Sequence, residues 1–107
     1  MSLSLIPREI QSGLMIEVSG RYTIFDETLR QAVLEFLKSG KRHFVLNMSS
    51  VSYVDSYGLG ELVRLYNSVK KADGRLQLLA PSERVRTLLR MTKLDTVFEI
   101  LDDDSGL

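Results

Sequence analysis

Short apolar runs alternate with longer amphipathic segments along most of the chain, and this alternation restricts the fold more than any other feature. Strand-like runs lie at residues 3–10, 14–18, 43–48, 76–80 and 97–100, and helical patterns separate the last four of them. Strands that alternate with helices of this length predict crossover connections and a parallel sheet. The sequence therefore predicts an α/β fold, a single small domain with a mainly parallel sheet and an antiparallel N-terminal edge.

The first two strand-like runs are close enough in sequence to form a hairpin. Ser12 and Gly13 give the turn signal, and Pro7 favours an edge position because proline cannot donate to a strand ladder. Gly20 is predicted to end the second strand, and residues 21–25 are predicted to form a packed connecting loop.

Three segments carry the spacing of a helix with one buried face. Asp26 is predicted to cap the first helix, and Gly40 to follow its last turn. Asp73 and Gly74 are predicted to close the second helix, and Ser82 to open the third. The predicted inward residues are Leu29, Ala32, Val33, Phe36 and Leu37, then Leu59, Leu62, Val63, Tyr66 and Val69, then Val85, Leu88 and Leu89.

Length and composition indicate an ordinary globular protein. We expect residues 1–107 to form one domain, with 102–107 as a loose acidic tail. The 14 basic residues balance 14 acidic ones, so neither nucleic acid nor an acidic membrane is an expected partner. The chain has no cysteine, no signal-peptide pattern and no apolar run long enough to span a bilayer, and we expect a cytoplasmic location.

The junction before the second helix concentrates chemically distinctive residues. A carboxylate, Asp55, and a hydroxyl, Ser56, are followed by Gly58 and Gly60. A serine at this place either caps the helix or is open to modification. Glycines early in a helix cost stability. Close packing of helix on sheet and close approach of a partner explain them equally well.

Catalysis is not expected here. Nucleophilic use of Ser56 requires a positioned base, and the only histidine, His43, begins the preceding strand at the opposite end of the sheet. The glycines do not form a Gly-x-Ser-x-Gly elbow or a phosphate-binding loop, and no metal-ligand spacing is present. We therefore predict no catalytic residue, no cofactor and no metal.

The segment Val45-Leu46-Asn47-Met48, with Val54-Asp55-Ser56-Tyr57-Gly58-Leu59-Gly60 after it, resembles the STAS-domain proteins, specifically the bacterial anti-sigma factor antagonists. The family places a strand with a Leu-Asn or Leu-Asp step before an Asp-Ser-(Ser/Thr)-Gly motif. The likeness extends to Gly20, Gly74 and the last helix and strand. It implies a STAS fold with strands adjacent in chain order.

The resemblance also implies a function. The family serine that matches Ser56 is phosphorylated by an anti-sigma factor that is itself a serine kinase, and a serine phosphatase resets it. The unphosphorylated antagonist binds the kinase and frees a sigma factor, so the protein would be a regulator and not an enzyme. The implied partner-binding residues are Thr23, Asp55, Ser56, Tyr57, Gly58 and Gly60.

Two segments depart from the family pattern, and alternatives stay open. Tyr57 stands where the family usually has Ser or Thr, and Gly20 is followed by Arg21-Tyr22-Thr23 where the family often has Gly-x-(Leu/Ile)-Asp. The alternative function is a constitutive interaction module, a scaffold or a subunit of a signalling or transport complex, in which Ser56 is only an N-cap. A weak homodimer also stays open. The competing hydroxyls for modification are Ser49, Ser50 and Ser52.

Overall fold

The computed structural model describes residues 3–22 and 27–107, and the order of elements agrees with the sequence prediction. A hairpin is followed by three helices, each of which leads into or out of a strand of one sheet. None of the helices in these residues has the length and apolar character needed to cross a membrane. The elements are β1 (Ser4–Ile10), β2 (Gly13–Tyr22), α1 (Thr28–Lys38), β3 (His43–Val54), α2 (Ser56–Lys71), β4 (Arg75–Leu79), α3 (Glu83–Met91), a 3₁₀ turn (Leu94–Thr96) and β5 (Glu99–Leu101).

The five strands form one mixed sheet in the order β1-β2-β3-β4-β5. β1 pairs with β2 antiparallel, and the other neighbours are parallel. Pro7 lies in the edge strand β1 opposite Ile16, as its missing N–H group predicts. The predicted α/β class and antiparallel N-terminal edge are confirmed.

All three helices pack on one face of the sheet. Buried residues from α1, α2 and α3 belong to a single core cluster with Leu14 and Ile16 of β2 and Phe44 and Leu46 of β3. Val45, which points the other way, is also fully buried, because Met15, Leu79 and the last residue, Leu107, pack around it. The sequence predicted that β3 is covered on both faces, and the second cover is this small cluster, not a helix.

Two strands are longer than predicted, and both extensions run toward the α2 start. β2 continues through Gly20 to Tyr22, and β3 continues to Val54. Gly20 adopts φ 110°, and the pairing of β2 with β3 shifts register on both sides of it. The glycine therefore absorbs an irregularity in the strand where the sequence predicted an end. Tyr22, predicted to lie in a loop, is a fully buried strand residue.

The helices follow the predicted inward faces, and α2 also buries the side chains of Glu61 and Leu65. Leu65 is fully buried in α2 although the predicted inward stripe omitted it, because that stripe was centred slightly to one side of the buried face. Gly40 has φ 102° just after α1, as expected for a residue that ends a helix. The expected cap Asp26 lies outside the described residues, and Glu27 stands at the N-cap position without a side-chain cap. β5 begins at Glu99, two residues later than predicted, because the 3₁₀ turn precedes it.

Candidate partner-binding site

Asp55 is the N-cap of α2. Its backbone is extended, with φ −95° and ψ −178°, and its Oδ1 accepts a hydrogen bond of 2.7 Å from the backbone N–H of Gly58. Its own N–H donates to the carbonyl of Tyr22 at 3.3 Å, which fixes the cap to the end of β2. The carboxylate therefore satisfies a helix N–H group that would otherwise lack a partner.

Ser56 is the first helical residue and not the cap. The expectation that Ser56 caps the helix is wrong, because Asp55 one residue earlier occupies the N-cap position. The constitutive interaction module does not depend on that cap and stays an alternative. Ser56 is exposed, and its side chain makes no hydrogen bond to the described part of the chain. The hydroxyl is thus open to solvent beside N–H groups at the positive end of the helix dipole.

The other predicted contact residues divide by exposure. Tyr57 is 60% exposed, which is high for a large aromatic side chain, and Gly60 is exposed as well. Gly58 is buried. Thr23, the remaining predicted contact, lies outside the described residues. The structure therefore places Ser56, Tyr57 and Gly60 together on an accessible surface.

This surface opens into a cavity of about 310 Å³ between the start of α1 and the first turns of α2. We call it the α1–α2 cavity. Its lining consists of Glu27, Arg30, Ser56, Tyr57, Gly60, Glu61 and Arg64.

An ion-pair cluster forms the floor of the α1–α2 cavity. Arg30 donates from Nε to Glu61 Oε1 at 2.7 Å and from a terminal nitrogen to Glu27 Oε1 at 2.7 Å. The hydrogen bond to Glu61 is the main reason that the pKa of the Arg30 guanidinium is raised above its ordinary value. Glu61, only 8% exposed, is also 3.6 Å from a terminal nitrogen of Arg64. The bridge ties α1 to α2 next to Ser56.

A further cationic contact lies at the same end of the sheet. The guanidinium of Arg21 lies over the ring of Tyr53, 4.3 Å from its centre, and the two residues are register partners on β2 and β3. Cation–π contacts of this kind hold an exposed arginine in place. Arg21 thus presents an oriented guanidinium at the strand ends that lead to Asp55.

The family model for the STAS domain matches residues 8–104. This range includes both strands that lead to the site, the Asp55 cap and all of α2. The chain belongs to the STAS domain family. The resemblance identified on residues 45–60 is confirmed.

Relatives of this STAS domain carry regulatory names. The anti-sigma-B factor antagonist of Bacillus subtilis is 26% identical over 107 residues, which cover 99% of this chain and 97% of that protein. A Thermotoga neapolitana protein, named provisionally as an anti-sigma factor antagonist, is 38% identical over 68 residues, or 64% of this chain. That alignment spans only 60% of the Thermotoga protein's length.

A solved structure supports the same fold. The crystal structure of a Thermotoga maritima protein, again named provisionally as an anti-sigma factor antagonist, superposes with a TM-score of 0.85 at 26% identity. The superposition covers 94% of this chain and 88% of the other. The order of strands and helices described above is therefore that of a STAS domain.

His43 is far from the site of this STAS domain. It is the first residue of β3, whereas Ser56 lies two residues beyond the last, so the two are at opposite ends of a twelve-residue strand. Its Nδ1 and Nε2 contact the carbonyl of Ser12 and the side chain of Gln77. His43 therefore cannot serve Ser56 as a base. In residues 3–22 and 27–107, no three histidine, aspartate or glutamate side chains are grouped as a metal site would require.

The charged residues of the α1–α2 cavity were not predicted from the sequence. Gly60 and Arg64 follow Ser56 at four-residue intervals, and this spacing on one helix face is a signal that was present in the sequence. Arg30 carried no such signal, since it meets Glu61 across a separation of 31 residues.

Proposed function

We propose that the chain is an anti-sigma factor antagonist controlled by phosphorylation of Ser56. The unphosphorylated protein binds an anti-sigma factor serine kinase through Asp55, Ser56, Tyr57 and Gly60, and so frees a sigma factor. Phosphorylation releases the kinase, and a serine phosphatase restores binding. The names of the relatives support the regulatory role. The hydroxyl of Ser56, which is exposed and does not serve as the helix cap, supports the switch.

The local structure is suited to a reversible charge. A phosphoserine carries about −1.5 to −2 charges at neutral pH. The free N–H groups and dipole of the first turn of α2 accommodate that charge. Since Asp55 already provides the cap, modification of Ser56 removes no hydrogen bond from the fold. The protein therefore stays folded in both states.

A bound partner meets the new charge directly. At an effective dielectric constant near 20, two like charges about 4 Å apart repel by about 4 kcal/mol. Each ~1.4 kcal/mol changes an affinity tenfold, so a partner that places a negative group at this distance loses roughly a thousandfold in affinity. Tyr57, which is exposed beside Ser56, supplies an aromatic contact of the kind enriched at interfaces.

In this proposal the protein is a substrate and a binding module, not an enzyme. The kinase, its ATP and the sigma factor act in the cytoplasm, so the proposal places the chain there. Residues 1–107 act as one domain.

The experiment compares binding of the kinase by wild type, Ser56→Asp and Ser82→Asp. Ser82 is the N-cap of α3, and aspartate is an equally good cap, so Ser82→Asp adds the same charge at another helix start without loss of structure. We expect Ser56→Asp to lose binding by tenfold or more and Ser82→Asp to bind like wild type. Full binding by Ser56→Asp would favour a constitutive interaction module and contradict the switch.

A further inference from the structure

We infer that Arg64 clamps the phosphate group of phosphorylated Ser56 within the same chain, across the surface left open by Gly60. This inference rests on the proposed phosphorylation of Ser56 and adds an internal partner for the phosphate. The clamp holds the modified state until a phosphatase acts.

The three residues are arranged along one side of α2. Ser56, Gly60 and Arg64 are spaced at i, i+4 and i+8, and all three line the α1–α2 cavity. The rise from Ser56 to Arg64 is slightly more than two turns, or about 12 Å along the axis. Helical side chains lean toward the N-terminus, so Arg64 leans toward Ser56 while the short Ser56 side chain leans away from it, and the long arginine side chain has to span most of the separation.

Gly60 leaves the path between them clear. A Cβ atom built at Gly60 meets no atom of the described chain within 4 Å outside its own turns, so packing does not require a glycine there. Glycine in a helix costs roughly 1 kcal/mol relative to alanine. The sequence left two equal explanations for this glycine, close packing of helix on sheet and close approach of a partner. The open space around Gly60 excludes close packing and leaves access to the helix surface as the explanation.

Of the two arginines in the α1–α2 cavity, Arg64 is the more exposed and the more loosely held. Arg30 is held by two short bonds to Glu61 and Glu27, and its side chain is 25% exposed. Arg64 is 73% exposed, and its contact with Glu61, at 3.6 Å, is too long for a hydrogen bond. Because Glu61 keeps Arg30 as its partner, Arg64 can leave it at little cost.

The charges that line the cavity also favour the movement of Arg64 from Glu61 to the phosphate. Arg30 and Arg64 balance Glu27 and Glu61 before modification. A phosphate adds about two negative charges beside two carboxylates. Planar bidentate pairing makes an arginine–phosphate bond stronger than a neutral hydrogen bond, so the phosphate attracts the loosely held guanidinium.

The test uses the full chain with phosphoserine incorporated at position 56 by an expanded genetic code, so neither kinase nor partner is required. The phosphate is titrated by ³¹P NMR in three versions: otherwise wild type, Arg64→Gln, and Arg90→Gln as a control. Arg90 is a partly exposed arginine on α3 with an equally weak acidic contact, Glu83 at 4.0 Å.

We expect the second pKa of the phosphate to be about half a unit lower in the otherwise wild-type chain than in Arg64→Gln. In Arg90→Gln this pKa should match that of the otherwise wild-type chain. The difference should shrink in 1 M salt, since the pair is exposed. Alkaline phosphatase should remove the phosphate severalfold faster from Arg64→Gln than from the other two.

Equal titration in all three versions would overturn the clamp. Because the phosphoserine is incorporated during translation and not by a kinase, that result would leave the proposed kinase binding and release untouched. Conversely, a protein that no kinase modifies could still show the clamp. The two proposals therefore fail independently.

Discussion

The starts of α2 and α3 use a serine in opposite ways. At α3 a serine, Ser82, is the cap, and its Oγ accepts from the N–H of Val85 at 3.3 Å. At α2 an aspartate, Asp55, is the cap, and Ser56 follows it with its hydroxyl exposed. One serine serves the fold, and the other is available to a partner. The comparison shows that the presence of a serine at a helix start does not reveal which role it has.

The largest expected effect is that of Asp55→Ala. This change removes a short, charge-assisted cap bond and should lower the free energy of unfolding by about 1 to 2 kcal/mol. Urea denaturation measures it. Asp55→Asn, which keeps the capping oxygen, is the matched control and should recover most of the loss. An unchanged midpoint for Asp55→Ala would mean that Ser56 can take over the cap.

Ser82→Ala should come next. Its cap bond is longer and uncharged, so we expect a loss of about 0.5 to 1 kcal/mol in the same assay. Ser82→Asp should restore stability because aspartate caps as well as serine. A larger loss for Ser82→Ala than for Asp55→Ala would reverse the ranking of the two caps.

Gly60→Ala should stabilise the protein. The added Cβ atom enters open space, and alanine is the better helix former, so a gain of about 0.5 to 1 kcal/mol is expected. A thermal melt should show the midpoint rise by several degrees. Gly74→Ala is a contrasting control, because a Cβ there would lie 2.8 Å from Cγ1 of Val69 and should destabilise. Destabilisation by Gly60→Ala would show that the domain itself needs this glycine.

Ser56→Ala should have the smallest effect on stability. The hydroxyl makes no bond to the described residues, so the change in unfolding free energy should stay within about 0.5 kcal/mol. Urea denaturation beside Ser82→Ala gives the direct contrast. A loss as large as that of Ser82→Ala would assign Ser56 a structural role.

Much of the fold was predictable because it depends on local patterns. The apolar periodicities predicted the order of elements, and Pro7 predicted the edge strand. The choice of cap was not predictable, since Asp55 and Ser56 are adjacent and both are good capping residues. The length of β3 determines which residue is the cap. Because the strand continues to Val54, Asp55 is the first residue after it and takes the N-cap position with an extended backbone.

The charged part of the site depends on tertiary structure. Arg30 and Glu61 come together only when α1 packs beside α2, and neither helix alone indicates the pair. Gly60 illustrates the same limit. Its sequence position left packing and access equally possible, and only the space around the residue separates them.

The most direct test of the account is to purify the protein from its native organism and map phosphate by tandem mass spectrometry. The account predicts a phosphorylated fraction that carries the modification on Ser56 and vanishes in Ser56→Ala. Ser49, Ser50 and Ser52 are also exposed, but they lie within β3, before the helix start. Phosphate found only on one of those three, or no phosphate under any growth condition, would contradict the claim that Ser56 is the switch.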